Sequence, residues 1–169
     1  QQAAAAYTRL LELDSGATGE LGGILDHPQA AQHVGREHRN LTQHIGQSAS
    51  DGAGVRLTDG SIVTGSNFEN ASYGMSLCAE TVAIAKANSD GQMRDIVAIA
   101  VAGGPADTAG GASLGSEAVT PCGRCRQIIK EVADLTSRDL PIYCIGADGH
   151  DRHLISELLP LGFGPASLK

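Results

Sequence analysis

The stretch that follows residue 52 alternates short apolar strands with helical segments, and this alternation constrains the fold more than any other feature. Val55–Leu57 and Ile62–Thr64 flank a glycine-containing turn at 58–61 and predict a hairpin. Asp95–Ala102 has the length and branched composition of a buried strand. Because strands alternate with helices, we expect an α/β fold, a three-layer α/β/α sandwich with helices on both sides of one sheet.

Two helices carry the residues of greatest chemical interest. They are predicted at 76–89 and from Pro121 to about Leu135, with Pro121 in the first turn, where a proline loses no hydrogen bond. A strand at Pro141–Ile145 and a short element at Leu154–Leu158 follow. These segments complete the alternating pattern.

The first fifty residues have a different sequence pattern from the rest of the chain. Short helices are expected at Ala3–Leu13 and from about Pro28 to His44, with several glycines between them. We therefore divide the chain into residues 1–50, a helical segment to which the sequence assigns no role, and residues 51–169, the α/β domain. A chain of 169 residues suits one compact domain overall, and no linker divides it.

Charge and hydropathy argue against two kinds of partner. The chain has 19 acidic and 12 basic residues, a net charge of −7, whereas proteins that bind duplex nucleic acid usually carry the opposite sign. No apolar run approaches the roughly 20 residues needed to cross a bilayer, and the first residues lack the basic and apolar parts of a signal peptide. We expect a cytoplasmic protein without a nucleic-acid or membrane partner.

The four cysteines are too few for a disulfide framework in a chain of this length, and they fit thiolate chemistry in a reducing compartment. Cys122 and Cys125 project from one face of a single helical turn, and Cys78 begins the other helix. The positive end of a helix lowers a thiol pKa and favours the thiolate that a metal needs. Three thiolates supply three corners of a tetrahedral zinc site.

Glu80 favours a catalytic zinc over a structural one. It lies two residues after Cys78, close to the metal but pointing differently, so it can act as a base and not as a ligand. Cys-x-Glu followed by Pro-Cys-x-x-Cys is the pattern of zinc deaminases, here with Cys122 and Cys125. The alternative is a structural site closed by Cys144, although a free cysteine in a strand usually packs as a small hydrophobe.

At these residues the chain resembles the cytidine deaminase family in its small three-cysteine form. Residues 65–74 (GSNFENASYG) resemble the family's ribose-binding segment, and residues 158–165 (LLPLGFGP) resemble its C-terminal segment. The likeness covers roughly residues 51 to 169. It implies a mixed sheet of about five strands, one Zn²⁺ ion per chain and Glu80 as the catalytic residue.

The resemblance also implies which residues meet a nucleoside. Asn67 and Glu69 would hydrogen-bond the ribose, and in a strand both project to the same side; their alternative is a local turn or helix cap. Ala79 is a further substrate-binding position. Phe163 would reach a neighbouring subunit's base pocket in a homotetramer, unless it is a plain core aromatic. Arg126 would supply positive charge near the sulfurs.

The chain departs from the family pattern in three places. Thr81 stands where the family has an arginine that hydrogen-bonds the ligand sulfurs. Alignment on Gly52 and Ala53 puts Ala49 and Asp51 where the family has a Phe and a Val, which leaves the base preference open. The first fifty residues are longer than the family's usual opening and lack its sequence.

The sequence thus predicts zinc-dependent hydrolytic deamination of cytidine, deoxycytidine or a modified cytosine nucleoside, as in pyrimidine salvage. Zinc would lower the pKa of its bound water, and Glu80 would carry the proton to ring N3 and then to the departing amine. One alternative is deamination of an aminonucleoside antibiotic, because blasticidin S deaminase shares the cysteine motifs. Another is a non-catalytic, zinc-stabilised oligomeric binding protein, which would have no need of Glu80.

Overall fold

The computed structural model describes residues 49–105, 114 and 116–168. Its strands and helices follow one another as β1 (Ala49–Leu57), β2 (Ile62–Ser66), α1 (Ala79–Ser89), β3 (Ile96–Pro105), α2 (Gly123–Thr136), β4 (Pro141–Gly146), β5 (Gly149–Leu154) and α3 (Ile155–Leu158). The two helices expected within the first fifty residues lie outside the described part of the chain, and β1 begins two residues before the predicted boundary at 51.

The five strands form one mixed sheet in the order β2-β1-β3-β4-β5. Strands β3 and β4 are parallel and the other pairs are antiparallel. Parallel neighbours need a long crossover, which α2 supplies between β3 and β4. The predicted α/β class with a mixed five-stranded sheet is confirmed. Among the described residues, both long helices pack on one face of this sheet, so the helical layer expected on the other face stays a prediction.

The main core lies between the sheet and the two long helices. Val55, Ile99 and Ile142 come from three adjacent strands, and they cluster with Ile84 of α1 and Ile129 of α2. A smaller cluster lies on the other face of the strands and is formed by Ala98, Ala100, Ala102 and Ile145. The packing brings the first turns of α1 and α2 together over one face of the sheet.

Local structure follows the sequence pattern, with differences at the helix starts. The β1–β2 hairpin is confirmed, and Gly60 in its turn has φ +85°. Helix α1 begins three residues later than predicted. Pro121 is not in the first turn of α2 as predicted, because Cys122 keeps an extended backbone (φ −65°, ψ 165°) and the helix begins at Gly123.

Strand β5 was not predicted from the sequence. Its residues, GHDRHL, are mostly polar and pair with β4 alone, as expected of a sheet edge. Among the described residues, no helix is both long and apolar enough to span a bilayer.

Candidate active site

Three cysteine sulfurs converge where α1 and α2 begin. Cys78 and Cys122 are the residues immediately before the two helices, and Cys125 lies in the first turn of α2. Their Sγ atoms all lie within 4.8 Å of one another, and those of Cys78 and Cys122 are 3.7 Å apart. Two thiolates at about 2.3 Å from a tetrahedral zinc would be about 3.8 Å apart. The sulfur spacing therefore fits zinc.

The fourth cysteine does not join this group. Cys144 is buried in β4, where it pairs with Val101 of β3 and contributes to the main core. Among the described residues, the convergent donors are the three other cysteines. The structure therefore gives no support to a site closed by Cys144, whose buried thiol packs as a small hydrophobe.

The three thiols have different surroundings. Burial raises the pKa of Cys78 to about 11. Burial and the negative charge of Glu80 raise the pKa of Cys125. Burial also acts on Cys122, but hydrogen bonds from the backbone N–H of Cys125 and from neighbouring groups outweigh it and lower its pKa. A divalent cation that binds closely spaced thiols displaces their protons and is coordinated by the resulting thiolates.

Glu80 is buried beside the sulfurs. It is the second residue of α1, and only 4% of its surface is exposed. Burial raises the pKa of its carboxyl group, the negative charge of Asp51 adds to the shift, and a hydrogen bond with Cys125 partly offsets it. Within the described structure, Glu80 is not part of the converging ligand group. Its position suits proton transfer near neutral pH better than metal binding.

Asn67 and Glu69 are brought together as the sequence led us to expect. The amide Nδ2 of Asn67 donates to Glu69 Oε1 at 2.9 Å, and Asn67 Oδ1 accepts the N–H of Asp51 at 3.2 Å. Asn67 is only 7% exposed. The local turn contact is made by Asn70, whose Oδ1 accepts the N–H of Ser72. The Asn67–Glu69 pair therefore bridges to strand β1 and is not a simple turn.

Two other predicted site residues differ in their exposure. Ala79 is fully buried between Cys78 and Glu80. Phe163 is 63% exposed, so it is not a core aromatic in this chain, and its carbonyl accepts a hydrogen bond from Gln127.

Arg126 holds the loop that precedes α2. Its Nε donates to the carbonyl of Pro121 at 2.7 Å, and its two other nitrogens donate to the carbonyl of Leu158 and the hydroxyl of Thr120. All three acceptors are oxygens. The guanidinium thus restrains the backbone beside Cys122. The positive charge that the resemblance implies near the sulfurs stays a prediction.

Two glycines position the site and were not singled out from the sequence. A Cβ on Gly65 of β2 would lie 2.5 Å from the N atom of Ala83 and 2.6 Å from the carbonyl of Ala79, so α1 packs directly on this strand. A Cβ on Gly103 of β3 would strike the carboxylate of Asp51. A glycine inside an apolar strand is the sequence signal for such a close approach.

Comparisons with known proteins agree with this geometry. Residues 34–136 match the family model described as the cytidine and deoxycytidylate deaminase zinc-binding region. The chain is 43% identical over 113 residues to a cytidine deaminase of Halalkalibacterium halodurans, covering 66% of this chain and 75% of that protein. It is 38% identical over 118 residues to one of Sporosarcina psychrophila, covering 69% and 76%.

Solved structures give the same result for the fold. A cytidine deaminase from Burkholderia pseudomallei superimposes with a TM-score of 0.56 at 24% identity, over 78% of this chain and 98% of that one. One from Mycobacterium tuberculosis gives 0.51 at 28% identity, over 79% and 97%. Since the family model spans more than half of this chain, and this chain covers more than two thirds of each of the two named relatives, the chain belongs to the cytidine and deoxycytidylate deaminase family of zinc-binding proteins.

Proposed function

We propose that this protein is a zinc-dependent hydrolase that converts cytidine or deoxycytidine to the uridine product and ammonia. The observation that carries the proposal is a buried carboxyl group, Glu80, beside three converged cysteine sulfurs. Three protein ligands are the usual number at a catalytic zinc, whereas structural sites have four. The named relatives are cytidine deaminases.

In this proposal Cys78, Cys122 and Cys125 hold the metal. The zinc ion, when bound, supplies Lewis acidity and lowers the pKa of water. Glu80 accepts a proton from the attacking water and delivers it to ring N3 while the C4–O bond forms. Glu80 then takes the second proton from the new C4 hydroxyl group and passes it to the amine. The C4–N bond breaks, ammonia leaves and the C4 carbonyl of the uridine product forms. A raised pKa suits a group that must both take and give a proton near neutral pH.

The sugar is assigned to Asn67 and Glu69. Their mutual hydrogen bond fixes both side chains before a substrate arrives, and an amide with a carboxylate offers donors and acceptors to a hydroxyl group. We expect Asn67→Ala to raise the KM for cytidine and deoxycytidine. An unchanged KM for both nucleosides would remove this assignment.

We also propose that the protein acts as a homotetramer with shared sites. Large apolar side chains are exposed in the two segments that resemble the family's ribose-binding and C-terminal segments, residues 65–74 and 158–165. Among them are Tyr73, Leu161 and Phe163. If Phe163 completes a neighbour's site, hetero-oligomers of the inactive Glu80→Gln and Phe163→Ala chains should recover activity. Sedimentation analysis gives the oligomeric state independently.

The reaction is assigned to the cytoplasm and to pyrimidine salvage. All four cysteines are free thiols in the structure, and a thiolate zinc site needs a compartment that keeps cysteines reduced. A cytidine deaminase supplies uridine nucleosides from cytosine nucleosides, which is a salvage step.

The test is turnover of cytidine by the zinc-loaded protein, followed by the absorbance change as uridine forms. Deoxycytidine, 5-substituted cytosines and blasticidin S complete the panel. We expect cytidine or deoxycytidine to be the best substrate. The antibiotic and the non-catalytic alternatives are not favoured by the relatives, and a protein that binds zinc but deaminates none of these compounds would contradict the proposal.

Glu80→Gln tests the assigned proton carrier. We expect it to keep one zinc ion per chain and to lose at least about 10²- to 10⁴-fold in kcat, the usual contribution of general acid–base catalysis. Glu117→Gln, at an exposed position, is the matched control and should behave as the wild type. Near-normal turnover in Glu80→Gln would exclude Glu80 from the reaction.

A further inference from the structure

The hydroxyl of Thr81 contacts the most deeply buried sulfur of the site. Thr81 is the third residue of α1, and its Oγ1 lies 3.6 Å from the Sγ of Cys125 in the first turn of α2. Cys125 has no exposed surface. Either atom can donate while the sulfur is a thiol, but a metal-bound thiolate carries no proton. With metal bound, the hydroxyl must be the donor.

The direction of this hydroxyl is not the usual one for a helical threonine. Such a hydroxyl often donates to the carbonyl three or four residues earlier, as Thr136 does with the carbonyls of Val132 and Ala133 at 2.9 and 3.2 Å. The carbonyl four residues before Thr81 belongs to Leu77, and it accepts the N–H of Phe68 at 2.8 Å. The Thr81 hydroxyl reaches across to the second helix instead.

The charge of the site gives this contact a role. Zn²⁺ with three thiolates has a net charge of −1, which weakens the metal as a Lewis acid unless donors draw charge from the sulfurs. In the part of the chain that the structure describes, the hydrogen bonds of Arg126 and Arg124 go to oxygen atoms. Thr81 therefore offers a neutral donor to a sulfur that these cations do not hydrogen-bond.

We propose that Thr81 is a positioning residue whose hydroxyl donates a hydrogen bond to the Cys125 thiolate, which orients that ligand and draws charge from it. This inference rests on the proposed zinc site. The hydrogen bond stabilises the sulfur lone pairs, so the charge-transfer band from thiolate to a substituted cobalt ion should lie at higher energy than without it. Outer-shell partners of this kind typically contribute about 10- to 100-fold to metal affinity.

The experiment compares Thr81→Val, which replaces the hydroxyl with a methyl group of similar size, with Thr81→Ser, which retains it. Thr136→Val removes a helical hydroxyl that does not contact sulfur and is the matched control. The readouts are the thiolate-to-cobalt band of the Co²⁺-loaded protein and the rate at which a chromophoric chelator removes zinc. Thr81→Val should shift the band to longer wavelength and release zinc about 10-fold faster, while Thr81→Ser and Thr136→Val match the wild type.

Two results would overturn the inference. One is an unchanged band and release rate in Thr81→Val, with a normal cobalt–thiolate spectrum in the wild type. The other is an equal change in Thr81→Val and Thr136→Val, which would indicate a general loss of stability. A wild-type protein without a cobalt–thiolate band would instead overturn the zinc site, and the Thr81 inference with it.

Discussion

Helices α1 and α2 begin with the same local geometry. In each, a cysteine with extended backbone precedes the first turn, Cys78 at φ −70° and ψ 155° and Cys122 at φ −65° and ψ 165°. In each, the carbonyl of that cysteine accepts the first helical hydrogen bond, from Val82 at 3.1 Å and from Arg126 at 2.9 Å. The two starts are thus nearly equivalent as holders of a sulfur atom.

The surroundings of the two starts differ. Cys78 is followed by the buried residues Ala79 and Glu80, whereas Cys122 is followed by Gly123 and by an exposed arginine. Burial raises the pKa of Cys78 to about 11, while the pKa of Cys122 is lowered. The same backbone feature therefore places a sulfur atom at the start of each helix, whereas only α1 also carries a buried carboxyl group there.

The largest effect is expected from replacing a sulfur at either helix start. Cys78→Ser and Cys122→Ser should each weaken zinc binding by more than about 100-fold. This is more than the usual loss of affinity when a residue that hydrogen-bonds a metal ligand is replaced. The two losses should be similar despite the different exposure, because each removes one of three ligands. Zinc content after dialysis against a chelator measures this.

Cys144→Ser is the control for these variants, since Cys144 is buried but outside the sulfur group. It should retain one zinc ion per chain. Equal zinc loss in all three variants would contradict the assignment of the ligands.

The second expected effect concerns how α1 is held. Gly65→Ala places a methyl group against the backbone of α1, and we expect it to lower the free energy of unfolding by about 3 kcal/mol, at the upper end for overpacking. At the start of α2, Gly123→Ala meets open space and should be neutral or slightly stabilising. Denaturant unfolding measures both. Similar stabilities for the two variants would show that α1 is not fixed by this packing.

A smaller effect is expected at the loop before α2. Arg126→Gln removes charge-assisted hydrogen bonds to the carbonyls of Pro121 and Leu158, which should cost about 1–2 kcal/mol of unfolding free energy. Arg124 lies two residues earlier, and within the described structure its guanidinium donates a single hydrogen bond of 3.3 Å to the carbonyl of Ser76, so Arg124→Gln should cost less. Thermal unfolding of the zinc-loaded proteins distinguishes them, and a larger loss in Arg124→Gln would contradict the role given to Arg126.

The smallest effect is expected in the β1–β2 turn, which is remote from α2. The hydroxyl and N–H of Ser61 donate to Asp59 and lower the pKa of its carboxyl group. Because the folded pKa is lowered, this contribution is present above the ordinary value of 3.8 and is lost as the pH falls through the folded value. Asp59→Ala should lower the Tm slightly at neutral pH, where its zinc content should equal that of the wild type, and the difference in Tm between the two proteins should disappear in acid. A difference that persists or grows in acid would contradict this.

Local spacing made part of the site predictable. Cys122 and Cys125 share a helical turn, and Glu80 follows Cys78 by two residues, so each half of the site could be inferred from its own segment. The convergence of the two halves in one site could not be inferred from either segment, because it depends on how α1 and α2 pack on the sheet. The family resemblance supplied that step, and the sulfur positions agree with it.

Contacts that depend on tertiary packing were not predictable. Arg126 belongs to a motif segment, yet its partners include the carbonyl of Leu158 in a distant helix. The hydroxyl of Thr81 meets a sulfur of the other helix. Strand β5 has a polar sequence, and its pairing partner in the sheet is β4. In each case the partner is remote in sequence, and no local pattern identifies it.

X-ray absorption at the zinc edge tests the central claim most directly, because it counts the atoms bound to the metal in the active protein. We expect three sulfur neighbours at about 2.3 Å and one oxygen or nitrogen neighbour at about 2.0 Å. Four sulfur neighbours would mean that a further thiol completes the site, and the assignment of Glu80 to a reaction at the metal would then be wrong.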